Sequence, residues 1–130
     1  MKLIIRIMTL AIPVAVMFTS CSPNIVGTWN VEKFETSVEG QTGTSLSNIG
    51  TFTFKRNGSG EKSLNYFVLG IQRDDNVPFK WTWDSQSYIT IDSQGSEFSK
   101  TWILIENKRK SQVWKSTDGS NTVHELVLKK

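Results

Sequence analysis

The sequence predicts an all-β protein, an eight-stranded antiparallel up-and-down barrel. Beyond residue 20, helical periodicity is nearly absent, apolar and polar residues alternate with a period of two, and turn residues separate short apolar runs. The later connections are short, so strands that are neighbours in sequence are expected to pair antiparallel. Closure into a barrel removes the unpaired edges of an open sheet, and a β-sandwich is the alternative that the pattern leaves open.

Residues 1–20 have the layout of a secretory signal peptide. Lys2 and Arg6 form a basic start, an apolar run of 12 residues occupies positions 7–18, and small residues follow. That run is shorter than the ~20 residues needed to span a bilayer, although an N-terminal anchor helix is the alternative. We therefore expect residues 1–20 to be cleaved and residues 21–130 to form one domain.

Cys21 is the only cysteine and directly follows this signal. The preceding FTS, with Phe18 where leucine is more usual, resembles the lipobox of bacterial lipoproteins. The resemblance implies that Cys21 becomes the first residue of the mature protein and carries diacylglycerol on its sulfur. Two or more acyl chains make such an anchor stable. A lone cysteine buried as a small hydrophobe is the alternative.

The charge of the expected mature chain excludes one class of partner. Cleavage would leave 13 of the 15 basic residues against 12 acidic residues, a net charge of +1. A near-neutral domain has no electrostatic footprint for nucleic acid. We expect a lipid-anchored protein of the cell envelope, in the outer membrane and facing the periplasm, because the residues after Cys21 carry no acidic run resembling a surface-export signal.

The first three predicted strands lie before residue 70. Residues 26–35 form the first strand, and the polar stretch 36–48 is expected to be a flexible loop or an irregular edge segment. Residues 49–56 alternate phenylalanine with threonine and form the second strand. An Asn-Gly-Ser-Gly turn then tolerates positive φ. The third strand spans residues 62–69, and residues 70–78 are expected to be a loop.

The fourth strand, residues 78–84, has the clearest alternation in the chain. Phe79, Trp81 and Trp83 share one of its faces. If this stripe points inward, it fills the barrel, which is the default in so small a barrel, or it lines a pocket for a flat or apolar ligand. If it points outward, it offers a surface to sugar rings or to a protein partner. These three residues are the candidate ligand-binding residues.

Four further strands complete the pattern. They are predicted at residues 87–92, 97–106, 111–116 and 121–130. Turn residues separate them, so each strand is expected to form a hairpin with the next one.

Gly27-Thr28-Trp29 at the start of the first strand resembles the Gly-x-Trp signature of the calycin group, which includes lipocalins, fatty-acid-binding proteins and avidins. The resemblance implies that Gly27 and Trp29 form a barrel-closing motif, with the indole packed across the end of the barrel. Lipocalins also place an arginine from late in the barrel over this indole. The final strand here offers only Lys129 and Lys130, and Arg109 lies in a predicted turn.

Three more features extend the likeness. A lipobox, an F-x-F-x-x-x-G-x-G hairpin at residues 52–60 and a late W-x-L at residues 102–104 occur in the order found in small lipocalin-like lipoproteins of Bacteroidetes-type bacteria, which this chain resembles. Avidins carry a biotin-contacting asparagine two residues after their tryptophan. Val31 occupies that position here, so biotin binding is not implied.

No catalytic constellation is expected. His124 is the only histidine and Cys21 is assigned to lipid, so neither a Cys-His pair nor a zinc cluster can be built. The segment Asp74-Asp75-Asn76 is expected to form a solvated turn, with a Ca²⁺ site as the alternative. The basic residues 108–110 are likewise expected to be a solvated turn, and contact with anionic headgroups beside the anchor is the alternative.

The sequence therefore predicts a membrane-anchored, lipocalin-like lipoprotein with no catalytic role, cofactor or metal. Its expected function is to bind a small hydrophobic or amphipathic ligand. The alternative is a filled barrel that acts on an envelope protein, as an interaction, inhibitor or accessory module.

Overall fold

A computed structural model describes residues 25–41, 43–84, 87–117 and 121–130 of the chain. The nine strands are β1 (Gly27–Val38), β2 (Thr44–Phe54), β3 (Ser59–Val68), β4 (Ile71–Asp75), β5 (Phe79–Asp84), β6 (Tyr88–Asp92), β7 (Thr101–Asn107), β8 (Ser111–Thr117) and β9 (Thr122–Lys129). The expected signal peptide and Cys21 lie outside the described residues. Within those ranges, no helix is long and apolar enough to cross a membrane.

The sheet closes on itself. Its order is β2-β1-β9-β8-β7-β6-β5-β3, and β3 pairs again with β2. All of these pairings are antiparallel. The ladder between β1 and β9, from Asn30↔Lys129 to Val38↔Thr122, joins the first strand to the last. The predicted up-and-down barrel is confirmed, and the closed ladder excludes the sandwich.

The ninth strand, β4, arises where a loop was predicted at residues 70–78. β4 pairs with the end of β3, from Val68↔Ile71 to Leu64↔Asp75, and β5 pairs with its beginning, where Gly60 faces Phe79. Residues 76–78 interrupt this edge, so β4 and β5 together occupy one strand position. The loop prediction was wrong because the first four residues of β4 are all exposed, which leaves no apolar alternation to detect.

The polar stretch 36–48 is also mostly strand. β1 continues to Val38, β2 begins at Thr44, and the two pair from Gly27↔Phe54 to Thr36↔Thr44. Serine and threonine face solvent along much of this hairpin, and threonine is well suited to strands. The expectation of a flexible loop was wrong, because residues 44–47 pair with β1. On the side of β3 the pairing begins only at Gly50, so this part of β2 is an edge segment.

Aromatic rings fill the interior. Trp29, Trp102 and Trp114 are fully buried. Phe54 lies among four rings, with centroid distances of 5.8 Å to Phe52, 5.0 Å to Phe79, 5.6 Å to Trp81 and 5.8 Å to Trp114. An eight-stranded barrel is just wide enough for side chains to fill it, and edge-to-face rings add to the packing energy. The barrel is therefore stabilised by a solid aromatic core.

Candidate functional site

The entry end of the barrel comprises Ile25, the start of β1 and the turns that follow β2, β5 and β7. The indole Nε1 of Trp29 donates a hydrogen bond to the carbonyl oxygen of Ile25 at 2.6 Å. The Nζ atom of Lys130 lies 4.9 Å from the centroid of the Trp29 ring and donates to the carbonyl oxygen of Val26 at 3.3 Å. A cation therefore covers this indole, and Lys130 supplies it in place of arginine.

The backbone conformation at Gly27 favours glycine, and the missing side chain leaves room for Lys130. The φ angle of Gly27 is +129°, which side chains other than hydrogen rarely allow. A Cβ atom built there would lie 2.9 Å from the Nζ of Lys130. Gly27, Trp29 and Lys130 thus lie in contact at the entry end, and a barrel-closing role for Gly27 and Trp29 stays a prediction.

The aromatic stripe of β5 points into the barrel. Phe79 and Trp81 are buried, and Trp83 is half-buried against the core. The Nε1 atom of Trp81 donates to two main-chain oxygens next to the β2–β3 turn, at 2.9 and 3.1 Å. Phe79 and Trp81 thus fill the core, the arrangement that the sequence analysis took as the default. A ligand-binding role for the three residues stays a prediction.

A buried ion pair interrupts the apolar interior. Lys62 lies on the inward face of β3, and its side chain is completely buried. Its Nζ donates to Oδ1 of Asp75 at 2.6 Å and to Oγ of Ser93 at 2.9 Å. Asp75 also accepts from the hydroxyl of Ser96 at 2.6 Å and from the main-chain N–H of Val77 at 3.3 Å. Both charged groups are therefore satisfied by short hydrogen bonds.

This network changes the acidity of its members. Burial by itself would raise the pKa of Asp75, but the hydrogen bonds from Lys62, Ser96 and Val77, together with the charge of Lys62, hold that pKa below its ordinary value. The pKa of the neighbouring Tyr66 is raised, first by burial and then by the negative charge of Asp75. Asp75 is accordingly ionised at neutral pH and forms a true salt bridge.

The network positions the loop that fills the far end of the barrel, which is the end opposite Ile25. This loop joins β6 to β7, and Phe98 within it is fully buried. Its ring centroid lies 4.6 Å from that of Phe34 and 5.3 Å from that of Phe52. The Ser96 hydroxyl that donates to Asp75 accepts the main-chain N–H of Phe98 at 3.1 Å. The predicted strand 97–106 accordingly begins only at Thr101, because Phe98 enters the barrel instead of continuing the strand.

The break between β4 and β5 opens a depression on the barrel wall, which we call the seam groove, of about 510 Å³. Val77, Pro78 and Phe79 form its apolar wall, and Ser93 lies in its floor. The Ser93 hydroxyl is the one that accepts from the buried Lys62 ammonium. The charged rim comprises Lys55, Glu61, Lys80 and Asp92. The groove thus combines apolar surface with a polarised hydroxyl.

A second depression, of about 470 Å³, lies on the outer face of β1 and β2 near the bulge between Val31 and Lys33. Asn30, Glu32, Ser47 and Asn48 line it together with two lysines. Its walls are polar, so it resembles a solvated cleft more than a ligand site.

Sequence reasoning placed Phe79 beside this site but missed Lys62, Asp75 and Ser93. Asp75 was expected in a solvated turn, and it is buried instead. One signal was available, because Lys62, Leu64 and Tyr66 alternate in phase and a lysine in an inward phase needs a buried partner. The partner itself could not be identified, because it lies 13 residues away at the end of the next strand, across the β3–β4 turn.

The other groups considered for chemistry are engaged in structural contacts. The Nδ1 atom of His124 lies 3.1 Å from Oγ1 of Thr36, and its ring stacks on Phe34 at 5.7 Å. Asp74 accepts a hydrogen bond from Asn65 at 2.8 Å. Over the ranges that the structure describes, no three histidine, cysteine, aspartate or glutamate side chains come together as a metal site.

Comparison with known proteins supports the fold. No protein-family model matches the sequence, and no curated protein matches it. Among solved structures, the chain is similar to a lipocalin-like protein from Bacteroides uniformis, with a TM-score of 0.55 and 12% sequence identity. The match covers 82% of this chain and 98% of the other. At this identity the likeness establishes the fold, a lipocalin-like β-barrel.

Proposed function

We propose that the protein is a lipid-anchored, non-catalytic binding module of the cell envelope that holds a small amphipathic ligand in the seam groove. The observation that carries this proposal is the joining of an apolar wall, formed by Val77, Pro78 and Phe79, to the Ser93 hydroxyl bonded to Lys62. A lipocalin-like barrel is a fold suited to binding.

The groove suits such a ligand in size and chemistry. Its volume of about 510 Å³ falls within the range of small-molecule sites. An apolar chain would pack on Val77 and Phe79. A polar or anionic head would replace the carbonyl oxygen of Pro78, 3.4 Å away, as the acceptor of the Ser93 hydroxyl. The interior is filled by rings, so we place the ligand on the wall of the barrel and not in its mouth.

The anchor is proposed from the sequence and fits the position of the entry end. Three residues separate Cys21 from Ile25, which is fully buried at that end. A diacylglyceryl group on Cys21 would hold the barrel close to the lipid surface. The proposed location is the periplasmic face of the outer membrane, and the absence of a nucleophile–base pair in the sequence supports a role without catalysis.

Ligand binding in the seam groove is tested with a large side chain placed in its wall. Val77 is 44% exposed, so Val77→Trp adds bulk to the groove wall without entering the core. We expect dodecanoate, titrated below its micellar concentration, to bind the domain and to bind the Val77→Trp variant at least about tenfold more weakly. Val123→Trp is the matched control, because Val123 is 38% exposed on β9, away from the groove. Equal affinity in the two variants would contradict the proposed site.

A second candidate function rests on the tip of the β3–β4 hairpin. Phe67, Leu69 and Ile71 are 58%, 92% and 65% exposed there, and a cluster of exposed apolar side chains is typical of interaction surfaces. This patch favours the protein-interaction module. A photo-crosslinking residue at Leu69 should give one adduct of defined mass in intact cells, which the same residue at exposed Asn65 should not. The absence of that adduct would contradict this function.

A further inference from the structure

Basic side chains are concentrated at the entry end of the barrel. Seven of the 13 basic residues that follow position 21 lie there, and all seven are exposed. They come from the turn after β2, the turn after β7 and the C-terminus, namely Lys55, Arg56, Lys108, Arg109, Lys110, Lys129 and Lys130. We call this set the basic rim. Only residues 108–110 form a visible basic run in the sequence.

The topology joins these three segments around the start of β1. The main-chain N–H of Lys130 donates to the carbonyl oxygen of Lys110 at 3.1 Å, which ties the C-terminus to the β7–β8 turn. The Nζ of Lys130 reaches the carbonyl oxygen of Val26. Gly27 pairs with Phe54, so the turn that carries Lys55 begins beside it. The basic rim therefore surrounds the point at which the chain enters the barrel.

Acidic side chains do not neutralise this end. Glu61 pairs with Lys55 at 3.0 Å, Glu106 pairs with Lys108 at 3.5 Å, and Asp84 ends β5. Glu32 lines a depression with Lys129, and Asp92 lines the seam groove with Lys55, so five acidic residues lie near the seven basic ones. Arg56, Arg109 and Lys110 make no ion pair with the acidic residues that the structure describes. Since residues 21–130 together carry a net charge of only +1, the charge is segregated toward the entry end.

Exposed apolar side chains adjoin the rim. Tyr88 at the start of β6 and Ile103 opposite it on β7 are 45% and 42% exposed, and Ile105, further along β7 toward the rim, is 57% exposed. Basic residues beside exposed aromatic and aliphatic residues match the two layers of a lipid interface, the headgroups and the upper acyl chains.

We infer that the entry end is a docking face for anionic lipid headgroups, which holds the barrel upright on the membrane with the far end directed away from it. This inference rests on the proposed anchor, because Cys21 would bring the same end to the lipid. Each Lys or Arg near an anionic surface strengthens the contact about fivefold, and the attraction weakens with salt. A nucleic acid or an acidic protein would have no reason to favour the end that the anchor approaches.

The experiment uses the full chain as its host processes it, and flotation with vesicles measures its binding to lipid. Two vesicle compositions are compared, phosphatidylcholine alone and a 3:1 mixture of phosphatidylcholine with phosphatidylglycerol. A fluorophore is placed on Thr28→Cys, exposed at the entry end, or on Val123→Cys at the far end. Headgroup-spin-labelled lipid then quenches each label according to its depth. We expect phosphatidylglycerol to increase quenching at Thr28→Cys and not at Val123→Cys, and 0.5 M salt to remove the increase.

Two variants with the same net charge distinguish an effect of the basic rim from an effect of total charge. The rim variant, Arg56→Gln/Arg109→Gln/Lys110→Gln, removes three cations that form no ion pair with the described acidic residues. We expect it to abolish the increase in quenching that phosphatidylglycerol causes at Thr28→Cys. The control, Lys33→Gln/Arg73→Gln/Lys115→Gln, removes the same charge from exposed or half-exposed positions on the barrel wall and the β3–β4 hairpin. We expect the control to show the same increase in quenching at Thr28→Cys as the unmodified chain.

The outcomes distinguish this inference from the anchor. If the chain floated with both vesicle compositions but quenching at Thr28→Cys were equal in the two, the docking face would be overturned and the anchor would stand. Equal effects of the two triple variants on this quenching would have the same consequence. Flotation only with the anionic vesicles, lost in the rim variant, would support the docking face and overturn the anchor. Flotation with neither composition would overturn both.

Discussion

Replacing Asp75 with alanine leaves the ammonium of Lys62 buried without its counter-charge. The side chain of Lys62 is completely buried, and the 2.6 Å hydrogen bond to Asp75 is its shortest contact. After the substitution only Ser93 remains as a hydrogen-bond acceptor. Removing one partner of a buried pair typically costs about 3–5 kcal/mol. Because domains of this size have free energies of unfolding of about 5–15 kcal/mol, we expect a large fraction of the stability to be lost.

The assay is urea unfolding followed by tryptophan fluorescence. The free energy of unfolding of such a domain falls by about 2 kcal/mol per molar urea. The urea concentration at the midpoint of unfolding should therefore be about 2 M lower for Asp75→Ala. Lys62→Met/Asp75→Ala should recover most of this loss, because no charge stays buried. The cycle completed with Lys62→Met should give a coupling energy of at least about 2 kcal/mol. Glu61→Ala is the matched control. It breaks the exposed ion pair with Lys55, and we expect the free energy of unfolding to change by less than about 1 kcal/mol.

Two results would refute this reasoning. If Asp75→Ala lost less than about 1 kcal/mol, Lys62 would have found solvent or another partner. A coupling energy below about 0.5 kcal/mol would show that the two side chains contribute independently to the free energy of unfolding.

Four further predictions concern the acid stability of the buried pair, the packing of Phe98 and Gly60, and the proposed anchor. The pKa of Asp75 is lowered by folding from its ordinary 3.8, so the pair stabilises the protein above about pH 4 and this stability is lost as pH falls toward the lower folded pKa; Asp75→Asn should flatten that acid loss in pH-dependent urea melts. Phe98→Ala should cost about 3–5 kcal/mol in thermal melts, since it leaves a cavity at the far end. Gly60→Ala places a methyl group inside the Phe79 ring and should cost about 1–3 kcal/mol in urea, which Phe79→Leu should partly restore. Cys21→Ser should abolish incorporation of labelled fatty acid, and continued labelling would contradict the proposed anchor.

Alternation predicted those strands that have one apolar and one polar face. In β5, the residues Phe79 and Trp81 are buried while Lys80 and Thr82 are exposed, as expected of a half-buried strand. The same pattern set the inward phase of β2 through Phe52 and Phe54. Where both faces of a strand are polar the pattern disappears, and for this reason β4 and the ends of β1 and β2 were predicted as loops.

The candidate site was only partly predictable. Phe79 could be singled out because it belongs to a local stripe, and Gly27 and Trp29 because a resemblance pointed to them. Lys62, Asp75 and Ser93 come from three separate segments, and only the closed barrel brings them within hydrogen-bonding distance. The cation over Trp29 was likewise sought as an arginine, and Lys130 reaches the ring because the C-terminus passes beside β1.

By itself, the sequence determined the fold class and the inward phase of most strands, because both depend on side-chain periodicity. The anchoring role of Cys21 stays a prediction from a short local motif. The tertiary structure alone decided the break between β4 and β5, the buried ion pair, the entry of Phe98 into the barrel and the gathering of seven cations around one end. These features depend on which strands become neighbours when the barrel closes, and strand pairing brings together residues that no local pattern connects.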